Sequence, residues 1–259
     1  PTRAALKEGK ELALANKESL VCGGELVLAE LEKTGTKLYP IDSEHSAIYQ
    51  CLQSADPKEV RRLIITASGG SFRNKTREEL KNVTVAQALA HPNWNLGTRI
   101  TLDSATMVNK GFEVIEAHYL FGYDFDQIDT VLHDESIIHS MVEFEDNAIM
   151  AQLGSADMRL PIQYALYAAK RPVLKEDHPL DMTKALTLHF RQMDFERFPM
   201  LKLAYQAGRQ KGNRGAVFNA ADEAAVELFL DEKIGFLDIE QAISRALQEI
   251  ENVEHPTYE

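Results

Sequence analysis

Apolar positions near the start of the chain fall into two short runs, residues 11–15 and 37–41, with a longer stretch of helical spacing between them. Residues 19–33 carry Leu20, Gly23, Leu26, Val27, Ala29, Glu30 and Leu31, so the segment reads as strand, helix and strand with a parallel crossover. Residues 62–66 predict a third strand, ended by a turn at Ser68-Gly-Gly70. Helical spacing over residues 84–90 stops before Pro92, which breaks any helix and leaves Trp94 on a loop. Residues 104–120 predict one helix, and residues 127–132 and 139–144 predict strands. Residues 148–153 pair with the second of these across Glu145-Asp-Asn147, an alternation that suits an antiparallel sheet. Residues 171–193, with Pro172 and Pro179 and little periodicity, read as a connecting arm. Helices at about 199–211, 216–231 and 237–251 imply a small helical domain. The fold class is α/β (α+β), with a mixed or antiparallel central sheet and a C-terminal helical bundle.

Composition narrows the class. The 259 residues are 44% apolar and 26% charged, enough for a sizeable core and more than one domain. A formal net charge of -12 argues against non-specific nucleic-acid or anionic-membrane binding, since both need an excess of Lys and Arg. No apolar run approaches the length of a membrane span, and no basic start leads into an apolar stretch, so neither a span nor an export signal is read. Cys22 and Cys51 lack metal-ligand spacing and offer no disulfide framework, so a reducing cytoplasm is the expectation. A start at Pro1 without an initiator Met is what a fragment, or the ordered part of something longer, would show.

Two segments hold most of the candidate chemistry. In Pro40-Ile-Asp-Ser-Glu-His45, Asp42 and Glu44 follow a predicted strand and lie two apart, so in extended chain both carboxylates face one side and Ser43 the other. Hard oxygen donors at the C-terminal end of a strand suit Mg²⁺ or Mn²⁺ completed by substrate and water; a solvated turn or helix cap is the structural alternative. In Leu102-Asp-Ser-Ala-Thr-Met-Val-Asn-Lys-Gly-Phe-Glu113, a helix places Asn109 and Glu113 on one face with Lys110 on its flank. Ser104 sits near the helix start, where free backbone donors and a hydroxyl can bind phosphate. The alternative is an N-capped amphipathic helix with Lys110 paired to a nearby carboxylate. Thr66-Ala-Ser-Gly-Gly70 adds the Ser68 hydroxyl and close-approaching amides. Alone, His91 reads as a loop or core residue and Met158 as packing, while His139 is either a pocket support or a structural histidine. Together the acidic trio and the phosphate-suited groups point to an enzyme acting on a phosphorylated sugar. The glycine-rich turn that normally holds a dinucleotide is not found.

The order of the blocks carries more than any one of them. Ala15-Asn-Lys-Glu-Ser19, Pro40-Ile-Asp-Ser-Glu-His45, Thr66-Ala-Ser-Gly-Gly70 and His91-Pro-Asn-Trp94 come first. Asp103-Ser-Ala-Thr-Met107 with Asn109-Lys-Gly111 and Glu113, Ile138-His-Ser-Met141 and Asn219-Ala-Ala-Asp-Glu223 follow. This sequence of motifs resembles the 1-deoxy-D-xylulose 5-phosphate reductoisomerase family over nearly the whole chain.

The resemblance implies a metal-bound ketose phosphate rearranged by retro-aldol cleavage and re-addition, then reduced by NADPH to 2-C-methyl-D-erythritol 4-phosphate, an isoprenoid precursor. It implies Asp42, Glu44 and Glu113 as ligands of Mg²⁺ or Mn²⁺, and Ser68, Ser104, Asn109 and Lys110 as the phosphate site. Lys17 and Ser43 would contact the substrate's oxygens, and His91 and Trp94 would cover it from a lid. Lys17, His91 and the three acidic residues would be the catalytic set. Asn16, Glu18, Gly97 and Met158 would touch NADPH. Ser71 and Leu96 depart from the proline and methionine that many members carry there. Residues 1–41 look like the end of a dinucleotide-binding domain, 42–170 a central catalytic and dimerisation domain, 171–193 an arm, and 194–259 the helical domain. Without the rest of the first domain, NADPH affinity should collapse and the isolated chain should bind metal and sugar phosphate weakly or not at all and be inactive, while the parent protein is an active cytoplasmic homodimer. Two alternatives remain. A cofactor-independent, metal-dependent sugar-phosphate isomerase or lyase gives Asn16, Glu18 and Met158 no purpose. A non-catalytic dimerisation module gives none to Asp42, Glu44, Glu113 and Lys110.

Overall fold

The two short apolar runs pair in parallel as β1 (Leu12–Leu14) and β2 (Leu38–Pro40), with Leu12 opposite Leu38 and Leu14 opposite Pro40. The computed structural model describes residues 1–90, 97–174 and 179–258. A short helix, α1 (Thr2–Lys7), precedes this pair, and α2 (Glu18–Thr34) joins its strands. The crossover ends at Gly35, whose φ of 63° suits a residue without Cβ and whose amide donates to the Leu31 carbonyl at 2.8 Å. Further along come α3 (Ser43–Cys51), β3 (Val60–Ala67), α4 (Val85–Ala88), α5 (Thr98–Thr106) and α6 (Val108–Phe121). They are followed by β4 (Ile128–His133), β5 (Ile138–Phe144), β6 (Ile149–Leu153), α7 (Arg159–Leu166) and β7 (Phe190–Gln192). The chain closes with α8 (Pro199–Gln210), α9 (Arg214–Leu230) and α10 (Phe236–Glu249).

The described chain divides into two compact units. The first comprises Pro1–Lys17, Glu25–Ala67 and Ala117–Gln192. Besides β1 and β2 it holds a five-stranded mixed sheet in the order β6-β5-β3-β4-β7. β3 runs parallel to β4 and antiparallel to β5, and the expected hairpin is β5 with β6. Leu63 and Ile65 of the central strand are fully buried. α3 packs over β5 and β6 and against α7. Neither α3 nor α7 was expected from apolar spacing, because each is short and polar at several positions.

The arm is also more ordered than its sequence suggests. β7 adds an antiparallel strand to β4, with His133 opposite Phe190. Three residues are too few to show a period, and tertiary contacts hold them. The buried His133 ring donates from Nδ1 to the His189 carbonyl at 3.0 Å and accepts at Nε2 from the amides of Ile137 and Ile138. The Phe190 ring stacks on it with centroids 4.7 Å apart.

The second unit comprises Glu18–Gly24, Ser68–Glu116 and Met193–Glu259. Its core is aromatic: Phe72 meets Phe236 edge-on at 4.9 Å and Phe112 meets Phe218 at 5.5 Å. At Gly111 a Cβ would lie 2.5 Å from that of Ala204, so glycine is what permits α6 and α8 to approach. The single helix expected over residues 104–120 is in fact two, α5 and α6, divided at Met107, which adopts φ 65°. One left-handed residue does not reset the apolar spacing, since Leu102, Ala105, Val108 and Phe112 are buried on both sides of the break. The pattern therefore runs through a boundary it cannot mark.

Candidate active site

In the first unit the site begins with strand direction. Because β1 and β2 are parallel, their C-terminal ends deliver residues 15–17 and 41–44 to one edge, the usual location of ligand groups in α/β sheets. Lys17 takes the cap position of α2 and Asp42 the N-cap of α3. The Asp42 carboxylate accepts from the Glu44 amide at 3.2 Å, satisfying one of the donors a helix start leaves free. The extended geometry expected for Asp42-Ser43-Glu44 is thus replaced by a cap and first helical turn. Capping wins because backbone donors at the start of α3 need an acceptor and the nearest carboxylate supplies it.

Lys17, buried to 6% exposure, sets its ammonium 2.5 Å from the other Asp42 oxygen, and His45 Nδ1 lies 3.0 Å from Oδ1. Burial opposes ionisation of Asp42, but the charges of Lys17 and then His45 hold it well below the usual carboxylate range. The Ser43 hydroxyl donates to the Glu44 carboxylate. Buried His139 on β5 is shifted down by burial, against the opposing charge of Glu44, and lines a small polar hollow with Ser43, Gln152 and Asp157. Met158, half-buried, caps α7, and Asn16 is exposed just past β1. His45, not singled out in the sequence, proves to be a second partner of Asp42; its only signal was its position three residues on.

In the second unit the turn after β3 lies directly on α5. Gly69 and Gly70 have φ of 80° and 65°, and the Gly70 amide donates to the Ser68 hydroxyl at 3.3 Å. A Cβ on Gly70 would fall 2.4 Å from the Ser104 carbonyl, so the turn that follows Ser68 meets Ser104 through a contact only glycine allows. Ser104 lies not near a helix start but in the last turn of α5, where backbone donors are already used within the helix, and its hydroxyl donates to the Ile100 carbonyl at 2.8 Å. On α6, Asn109 donates to one Glu113 oxygen at 2.5 Å and Lys110 forms an ion pair with the other. Lys110 is 5% exposed and Glu113 1%. The local pairing offered as an alternative for Lys110 is therefore present. Gly97 caps α5, its carbonyl accepting from Thr101. Glu18, half-buried, opens α2. His91 and Trp94 lie outside the described residues. Burial pushes the Cys22 and Cys51 thiols up to about 11, which suits neither a nucleophile nor a ligand. Among the described residues no helix is long and apolar enough to cross a membrane.

Family models match three stretches of the chain. That of 1-deoxy-D-xylulose 5-phosphate reductoisomerase covers residues 1–24, that of its C-terminal domain residues 38–121, and that of the DXP reductoisomerase C-terminal domain residues 153–259. A relative from Geobacillus sp. (strain WCH70), named 1-deoxy-D-xylulose 5-phosphate reductoisomerase, is 56% identical over 100% of this chain and 68% of its own length. One of the same name from Bacillus cereus (strain AH187) is 55% identical over the same shares, 100% and 68%. Among solved structures, 1-deoxy-D-xylulose 5-phosphate reductoisomerase from Zymomonas mobilis in complex with NADPH matches with a TM-score of 0.92 at 46% identity, covering 99% of this chain and 66% of that one. A DOX-P reductoisomerase in complex with NADPH, fosmidomycin and magnesium matches at 0.91 and 43% identity, covering 96% and 63%. This chain spans about two thirds of the length of these proteins.

Proposed function

The chain belongs to the 1-deoxy-D-xylulose 5-phosphate reductoisomerase family, and from that membership we propose that it carries the metal and substrate residues of an enzyme converting 1-deoxy-D-xylulose 5-phosphate to 2-C-methyl-D-erythritol 4-phosphate. The carrying observation is a buried lysine held on a carboxylate in each unit, Lys17 on Asp42 and Lys110 on Glu113. Such pairs keep cations and hard oxygen donors ready for an anionic, oxygen-rich substrate.

The donor set fits a hard divalent cation: Asp42, Glu44 and Glu113 offer only carboxylate oxygen, the preference of Mg²⁺ and Mn²⁺. When bound, the metal supplies stabilisation of negative charge on substrate oxygens, and NADPH supplies the reducing equivalent. Lys17 would exchange its contact with Asp42 for a substrate oxygen, keeping a proton donor where charge develops. Ser43 would do the same from its place beside Glu44. Ser68, Ser104, Asn109 and Lys110 would grip the phosphate. Held at its unreactive end, the substrate has fewer orientations at the reacting carbons, and that gain appears in the rate. His91 and Trp94 would cover the substrate and exclude water.

Asn16, Glu18, Gly97 and Met158 are assigned to NADPH. Asn16 and Glu18 support this by their place where β1 gives way to α2, the end of a parallel pair at which dinucleotides bind. The cofactor-independent alternative is weakened because neighbours at 46% and 43% identity are named as NADPH complexes. Residues 1–41 are then the end of the dinucleotide domain, 42–170 the catalytic and dimerisation part, 171–193 the arm and 194–259 the helical domain. A second copy is the proposed partner. Exposed Ile149 and Met150 on edge strand β6 support it, because an apolar sheet edge calls for cover.

Calorimetric titration of Mn²⁺ into this chain tests the reading. One weak site is expected, weakened further by about tenfold or more in Asp42→Asn, Glu44→Gln and Glu113→Gln. Unchanged affinity in all of these variants would remove the metal assignment.

A further inference from the structure

We propose that Asp103 and Asp222 form a carboxyl pair holding one proton between them, which together with Arg99 docks α5 onto α9 and thereby positions Ser104. Asp103 and Asp222 are 3% and 0% exposed, and both carboxylates lie against the Arg99 guanidinium. Two ionised carboxylates have only acceptors, so two of them buried on one guanidinium repel unless one is protonated and donates. Among the described residues Arg99 is the cation facing them. Its Nη2 donates to Asn219 Oδ1 at 2.9 Å and to Asp222 Oδ2 at 3.4 Å, and its Nε lies 3.6 Å from Asp103 Oδ2. One guanidinium balances one buried carboxylate, and the proton neutralises the other.

The remaining groups facing the cluster push the same way. Glu223 on α9 lies 3.5 Å from Arg99 Nη1 and is largely exposed, and Glu18 at the start of α2 acts on Arg99 from a greater distance. The Cys22 thiol, also beside Arg99 and Glu223, is pushed up to about 11 and stays neutral. The added negative charge disfavours a second carboxylate. Burial raises Asp222 to about 7, with Arg99 opposing. Below that value the bridge is closed; above it two buried carboxylates face one cation and repel, and α5 loosens. Asp103 immediately precedes Ser104, so the helix that loosens is the one carrying that hydroxyl. The consequence for ligand binding rests on the assignment of Ser104 to phosphate.

Hydrogen exchange of the α5 amides in this chain, corrected for intrinsic rates and compared between about pH 6 and about pH 9, reads the pair directly. Wild type is expected to lose protection in α5 by about fivefold or more across that range while α10 changes little. Asp222→Asn, whose amide can donate to Asp103 without a titrating proton, is expected to keep α5 protection constant. Asp103→Asn is the second variant, and a cooperative melt at the lower pH shows that each is folded. Constant protection in wild type, or the same loss in both variants, overturns the proposal. Titration with inorganic phosphate on the same samples separates the two assignments. Wild type should weaken with rising pH more than Asp222→Asn, the ligand's own ionisation being common to both. Ser104→Ala binding phosphate as well as wild type would remove the role of Ser104 and leave the exchange result to decide the pair.

Discussion

Lys17 meets Asp42 because two parallel strands end at one edge, whereas Lys110 meets Glu113 because they lie three apart on a single helix. The same chemical unit, a buried ammonium on a carboxylate, is assembled once by tertiary pairing and once by helical repeat. The first also depends on a backbone cap, since Asp42 both holds Lys17 and closes the start of α3. The second depends on burial alone, with Asn109 adding one more donor to Glu113. A locally assembled pair should therefore respond to loss of its partner's charge, and a cap-assembled pair to loss of either charge or geometry.

The largest expected effect is Glu113→Ala. It takes the carboxylate out of a buried ion pair with Lys110, with an expected stability loss of about 3–5 kcal/mol by urea denaturation. A loss below about 1 kcal/mol would mean that Lys110 finds water or another partner freely. Next comes Gly70→Ala, where a left-handed φ and a Cβ set 2.4 Å from the Ser104 carbonyl force backbone to move. The expected loss is about 2–3 kcal/mol, with weakened phosphate binding if the turn supports that site.

Asp42 separates cap from charge. Asp42→Asn keeps an acceptor for the Glu44 amide while Asp42→Ala does not, so Ala should be the costlier change by about 1 kcal/mol. The carboxyl is held below its ordinary value, so its contribution is present above about pH 4 and is lost as pH falls through the folded value. Asp42→Asn should accordingly cost more at neutral pH than in strong acid, by comparison of unfolding free energies. Equal costs would show that Lys17 contributes no net charge stabilisation.

Asp222 is displaced the other way. Asp42 has Lys17 and His45 beside it, whereas Asp222 shares one guanidinium with other acids and is pushed up to about 7. The folded chain then keeps a proton that the unfolded chain has released, so stability falls as pH rises from about 4 toward about 7, by at most about 1.4 kcal/mol per pH unit. Asp222→Asn should flatten that part of the profile. A profile of unchanged slope would show that Arg99 keeps the carboxylate ionised throughout.

How much could be read in the chain follows the same division. α2, the β5–β6 hairpin and the three C-terminal helices were legible because each has enough residues for an apolar period to repeat, and the three-residue β1 and β2 because short apolar runs flank α2. α3 and α7 were not, since a capped helix of nine or eight residues with a polar face offers few repeats. The break at Met107 was hidden because the buried stripe continues across it. In the candidate site, Asn109, Lys110 and Glu113 could be placed on one face by spacing alone. The contact of Ser68 with α5 through Gly70 joins positions some 36 apart and left only a Gly-Gly pair as its trace.

Side-chain chemistry, helical spacing and the order of motifs are properties of residues near one another along the chain, and these were enough to place it in its family. Which carboxylate caps a helix, which lysine answers it, and whether two aspartates share a proton depend on groups brought together from distant segments and stripped of water. Desolvation and proximity set those charges, and neither exists until the strands have paired and the helices have packed.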